Sequence, residues 1–85
     1  MSEFLEIMAV VPDQSLDCLG LYCPIPILKT RDALKALAPG KVLAMTSDDP
    51  ASEADMKSWT ERTGHHLLAV EREGAVFRFL VRKAH

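Results

Sequence analysis

Cys23-Pro24-Ile25-Pro26-Ile27-Leu28-Lys29-Thr30-Arg31-Asp32-Ala33-Leu34-Lys35-Ala36-Leu37 is the stretch on which the reading of the fold turns. Its two prolines crowd the start, where helical N–H groups have no intrahelical acceptor and a missing donor costs little. Ile27, Thr30, Leu34 and Leu37 then recur at helical spacing and form a buried stripe. The pattern predicts a helix that begins beside Cys23, runs to about Leu37 and is stopped by Pro39-Gly40. Upstream, Ser15-Leu16-Asp17 reads as a short strand, with a loop around Gly20 before the helix. Downstream, residues 41–47 form a nearly continuous apolar run, expected of an interior strand covered by helices.

Further along, Asp48-Asp49-Pro50 opens a second helix, with Asp49 as its N-cap and Pro50 as its first residue. Met56, Trp59 and Thr63 are its inner positions, and Gly64 ends it. Two strands follow at 66–72 and 76–82, joined by a tight turn at Glu73-Gly74. Phe77, Phe79 and Val81 alternate and point inward. The order βαβαββ predicts an α+β protein: a two-layer α/β sandwich with a four-stranded mixed sheet and two helices on one face. A βαβ unit should start it and a hairpin finish it, leaving a sheet face on which a dimer could form.

With 85 residues the chain has room for one domain, taken as residues 14–85, preceded by an extension at 1–13. In that extension Phe4, Leu5, Ile7 and Met8 suit one or two amphipathic helical turns ended by Pro12. A net charge of −2 argues against direct contact with nucleic acid. No apolar run is long enough for membrane insertion, and the first eleven residues hold no Lys or Arg, against a secretory signal. Two cysteines make no disulfide framework, so a reducing cytoplasmic location is expected.

Cys23 is the candidate reactive residue. A thiolate at a helix start faces unpaired N–H groups and the positive end of the helix dipole, and both favour the anion. Pro24 and Pro26 withhold two of those donors, so the expected acidification is partial. Ile25 and Leu28 fall off the buried stripe and should flank Cys23 as an exposed apolar patch for a partner protein. Lys29, Arg31 and Lys35, against the single acid Asp32, should make this helix cationic and favour an anion on sulfur. Cys18 ends a strand and reads either as a small core residue or as a second thiol that pairs with Cys23. Adjacent His65 and His66 lack metal-ligand spacing, so neither metal nor cofactor is expected. Trp59 reads as core, and Asp48-Asp49 as a cap in preference to a magnesium site. A lone activated cysteine without a base or phosphate loop suits a carrier.

The run Leu16-Asp17-Cys18-Leu19-Gly20-Leu21-Tyr22-Cys23-Pro24-Ile25-Pro26-Ile27-Leu28 resembles the signature of the TusA-like, or SirA-like, sulfur-carrier proteins. Pro39-Gly40, Asp48-Asp49-Pro50 and the closing aromatic strand fall in the family's order, so the likeness spans residues 15–83. It implies a βαβαββ fold and a persulfide on Cys23, with Asp17, Gly20, Pro24 and Pro26 as motif and positioning residues. It also implies a sulfur donor, a cysteine desulfurase or rhodanese-like protein, and a downstream acceptor protein. Members feed tRNA thiolation, molybdenum-cofactor or dissimilatory sulfur pathways. Cys18 stands where many members lack cysteine, so its role is not inherited. Two other readings stay open: a redox switch using Cys18 and Cys23, and a regulatory protein-interaction module.

Overall fold

The computed structural model describes residues 11–85; the expected helical turn at Phe4–Met8 lies outside them. Strand β1 (Gln14–Cys18) leads through a loop to helix α1 (Ile25–Lys35) and strand β2 (Val42–Ser47). Helix α2 (Ser52–Thr63) follows, then the hairpin of β3 (His66–Glu73) and β4 (Val76–Arg82). The sheet order is β1-β2-β4-β3, with β1 parallel to β2 and the other pairs antiparallel. The expected mixed sheet and opening βαβ unit are therefore present.

One core joins both helices to one sheet face. Leu34 of α1 and Met56 and Trp59 of α2 pack with Leu43, Met45, Phe77, Phe79, Val81 and Cys18. Alternation along β4 sends Phe77, Phe79 and Val81 inward and Leu80 to the far face, as the period of two requires. On that far face Val42, Ala44 and Leu80 form a second, smaller buried cluster, with Leu68 and Ala69 against it. A register shift between Leu67 and Ala69 leaves Leu68 as an extra residue in β3.

Several boundaries differ from those read in the sequence. Helix α1 ends at Lys35, and Ala36 and Leu37 continue only with tighter bonds to Ala33 and Leu34 carbonyls. Pro26 joins Thr30 and Leu34 on its buried face, while Ile27 and Leu37 are half-buried. Helix α2 starts at Ser52, not Pro50, because Asp49 first caps a turn: its Oδ1 accepts the Ala51 N–H at 3.0 Å. Gly64 ends α2 at φ +83°, donating to Thr60 O, as expected of a left-handed cap. The hairpin turn is Gly74-Ala75, since Glu73 already pairs with Val76.

Candidate functional site

The loop between β1 and α1 is held by side-chain carboxylates at both ends. Asp17 Oδ1 accepts the Leu19 N–H at 2.9 Å, and the Leu21 N–H returns to Cys18 O. Gly20 supplies the left-handed corner at φ +78° that a residue with a Cβ would resist. Asp48 Oδ1 then accepts the Gly20 N–H, and Asp49 Oδ2 accepts the Cys23 N–H, each at 2.9 Å. The Cys23-Pro24 peptide is cis. The two aspartates that the sequence offered only as a cap thus fasten the cysteine loop to the start of α2. Their spacing, at the end of an apolar strand, was the available signal.

Asp49 is the hub of this junction. It is 7% exposed, its N–H donates to Ser47 Oγ at 3.2 Å, and its carbonyl accepts the Ser52 N–H at 2.9 Å. Both carboxylate oxygens are engaged, so burial leaves neither unmatched.

Cys23 is exposed and Cys18 is fully buried in the core. The structure does not bring the two thiols to a common surface. Tyr22, Ile25 and Leu28, close to Cys23 in the chain, are exposed, as is Leu19 on the same loop. Pro24 occupies the N-cap position, and Pro26 is buried in the first turn of α1.

The electrostatics depart from the sequence reading in two ways. The Cys23 thiol is pushed above the ordinary thiol value, not below it. The largest cause is a hydrogen bond from the thiol to the Asp55 carboxylate, followed by burial and the negative charges of Asp55 and Asp49. The helix start offers little in return. Pro24 and Pro26 have no N–H, and the Ile25 N–H is taken by Tyr22 O at 3.0 Å. Second, the expected cationic helix does not surround the sulfur. Arg31 is paired with its neighbour Asp32 at 3.1 Å, and Arg31 and Lys35 line a separate groove with Trp59, Thr63, His65, Lys83 and His85. Lys29 acts on the buried Cys18, whose thiol is raised chiefly by burial.

A narrow crevice runs beside Cys23, lined by Pro26, Ile27, Asp49, Ser52, Asp55 and Met56, and it leaves no room for water. Ser52 is 3% exposed and its hydroxyl oxygen has no hydrogen-bond partner, a state that costs about 1–3 kcal/mol. Thr30 Oγ1, on the inner side of α1, is likewise buried and unpartnered. Among the described residues no group of three His, Cys, Asp or Glu side chains is placed to hold a metal ion, and no helix is long and apolar enough to cross a membrane.

Known proteins are similar to this chain in sequence and fold. The family described as Sulfurtransferase TusA matches residues 14–83. The "Putative sulfur carrier protein YrkF" of Bacillus subtilis is 44% identical over 68 residues, 80% of this chain and 37% of that protein. The chain therefore spans about a third of that relative's length. The "Sulfur carrier protein TusA" of Allochromatium vinosum is 40% identical over 72 residues, covering 85% of this chain and 95% of that one. A SirA-like protein of Desulfitobacterium hafniense has the same fold, with a TM-score of 0.73 over 85% of this chain and 99% of that one at 24% identity. The family match over nearly the whole chain and the 40% identity to a TusA protein over 85% of it place this protein in the TusA sulfurtransferase family.

Proposed function

We propose that Cys23 carries sulfane sulfur as a persulfide, taken from a donor protein's persulfide and delivered to an acceptor protein's cysteine. The observation that carries this reading is the exposure of Cys23 on a loop fastened by Asp48 and Asp49 within an apolar rim. A partner must bring its own sulfur into bonding range, and exposed Tyr22, Ile25 and Leu28 give it a surface to dock on. A cysteine desulfurase or rhodanese-like protein suits the donor. Reaction needs the thiolate, and the upward shift of the Cys23 pKa by Asp55 and Asp49 favours the protonated thiol instead. The free carrier is therefore quiet toward oxidants, and activation falls to the docked complex.

Burial of Cys18 weighs against the two-thiol switch, because a Cys18–Cys23 disulfide would require Cys18 to leave the core. The test is a relay with radiolabelled cysteine. A desulfurase should label the wild-type chain and leave Cys23→Ser unlabelled, and an acceptor protein should then remove the label. Labelling of Cys23→Ser equal to wild type would overturn the assignment.

A further inference from the structure

The crevice beside Cys23 holds a buried hydroxyl with nothing to bind. Ser52 lines it at 3% exposure, its oxygen is unpartnered, and there is no space for a water to satisfy it. Met56 also lines it, an unbranched side chain that yields to an added atom more readily than a branched one. Pro26 and Ile27 make one wall apolar, and Asp55 stands at the thiol. A divalent sulfur atom attached to Cys23 is compact and polarisable, accepts a hydrogen bond, and otherwise prefers apolar contact. Those are the properties that the crevice matches.

We infer that this crevice, too tight for a water at rest, opens by a shift of the Met56 side chain to seat the outer sulfur of the Cys23 persulfide, with the Ser52 hydroxyl donating a hydrogen bond to it and the Asp55 carboxylate handling the thiol proton. The inference rests on the carrier reading given above. In the loading step the Cys23 sulfur attacks the outer sulfur of the donor persulfide as its proton passes to Asp55. The donor's S–S bond breaks with its electron pair going to the donor cysteine, which leaves as a thiolate. Asp55 returns the proton to that thiolate, so the step consumes no oxidant or reductant and gives a Cys23 persulfide and a donor thiol. Seated beneath Ser52, the outer sulfur is shielded from small nucleophiles. A docked acceptor draws it out by displacing Met56 and the Ser52 contact.

The test uses the full chain loaded with inorganic polysulfide, with the persulfide followed by its reaction with cyanide. Ser52→Ala should shorten the persulfide lifetime roughly 2- to 12-fold, the worth of one ordinary hydrogen bond. The same substitution should leave the thermal midpoint of the unloaded chain unchanged or raised, because it removes an unsatisfied group. Ser52→Thr, which keeps the hydroxyl, should hold the longer lifetime. Asp55→Asn should move the pH midpoint of Cys23 alkylation downward while the chain stays folded. A loaded wild type whose lifetime matches that of Ser52→Ala overturns the seat and leaves the carrier reading standing. An unmoved alkylation midpoint in Asp55→Asn removes Asp55 from the proton step. A wild-type chain that takes no sulfur from polysulfide or a desulfurase overturns the carrier reading and the seat together.

Discussion

Asp49 and Asp55 lie far along the chain from Cys23, and they decide its environment only after the second helix packs against the first. Asp49 anchors the Cys23 backbone and the turn before α2 with one carboxylate. Asp49→Ala should therefore cost about 1–2 kcal/mol in urea unfolding, as for a lost cap, with Asp49→Asn losing less because one acceptor remains. The exposure of Ile25 and Leu28 was legible because helical phase is local. The sequence reading misjudged the charge, since it weighed Lys29, Arg31 and Lys35 on the cysteine's own helix. The carboxylates that face the sulfur come from another element, and nothing in local spacing announces them. Cys18 offers a second test at this scale. Its buried thiol stays protonated at a pH where the unfolded chain's thiol ionises, so the unfolded state then binds fewer protons and stability falls as pH rises. The urea midpoint should fall from about pH 8 to pH 10, across the ordinary thiol range, and less steeply in Cys18→Ala.

At the scale of elements, the helices and strands were legible because each has a clear period and a clear stop. Pro39-Gly40 and Gly64 mark helix ends for steric reasons that hold in any context. Gly64→Ala should cost about 1–2 kcal/mol, since φ +83° is strained for a residue with a Cβ even though its nearest neighbour, His85 Nε2, sits at an ordinary 3.7 Å. The start of α2 was misplaced because Asp49 and Pro50 suit a capped turn as well as a first helical turn. The bulge at Leu68 was hidden within Leu67-Leu68-Ala69-Val70, an apolar run with no alternation to betray a slip. The junction of α2 and the chain end carries a pH dependence of its own. His65 is held below the ordinary histidine value, first by burial and then by His85, Lys83 and His66, and its Nδ1 accepts the Ala84 N–H at 3.1 Å. The unfolded chain therefore binds the proton first, and this contribution to stability is lost as pH falls through about 6.5 toward the folded value. A proton NMR titration should find the His65 midpoint below that of a free histidine, and His65→Phe should soften the acid dependence of the melting temperature.

At the scale of the whole molecule, a domain of this length has one thin core, and the site is a by-product of how that core closes. Phe79 sits fully buried at its centre, opposite Met45 on one side and Val70 on the other. Phe79→Ala should remove about 3–5 kcal/mol, a large share of the stability such a domain has, and calorimetry should show a collapsed melting transition. Packing of α1 and α2 on one sheet face brings the start of α2 to the cysteine loop, which makes the setting of Cys23 a property of the fold and not of its motif alone. The most direct measurement of that claim is peptide-resolved mass spectrometry after incubation with a cysteine desulfurase and cysteine. One added sulfur, about 32 Da, is expected on Cys23 and none on the Cys18 thiol of the folded chain. Sulfur retained at undiminished yield in Cys23→Ser, or found on Cys18, would contradict it.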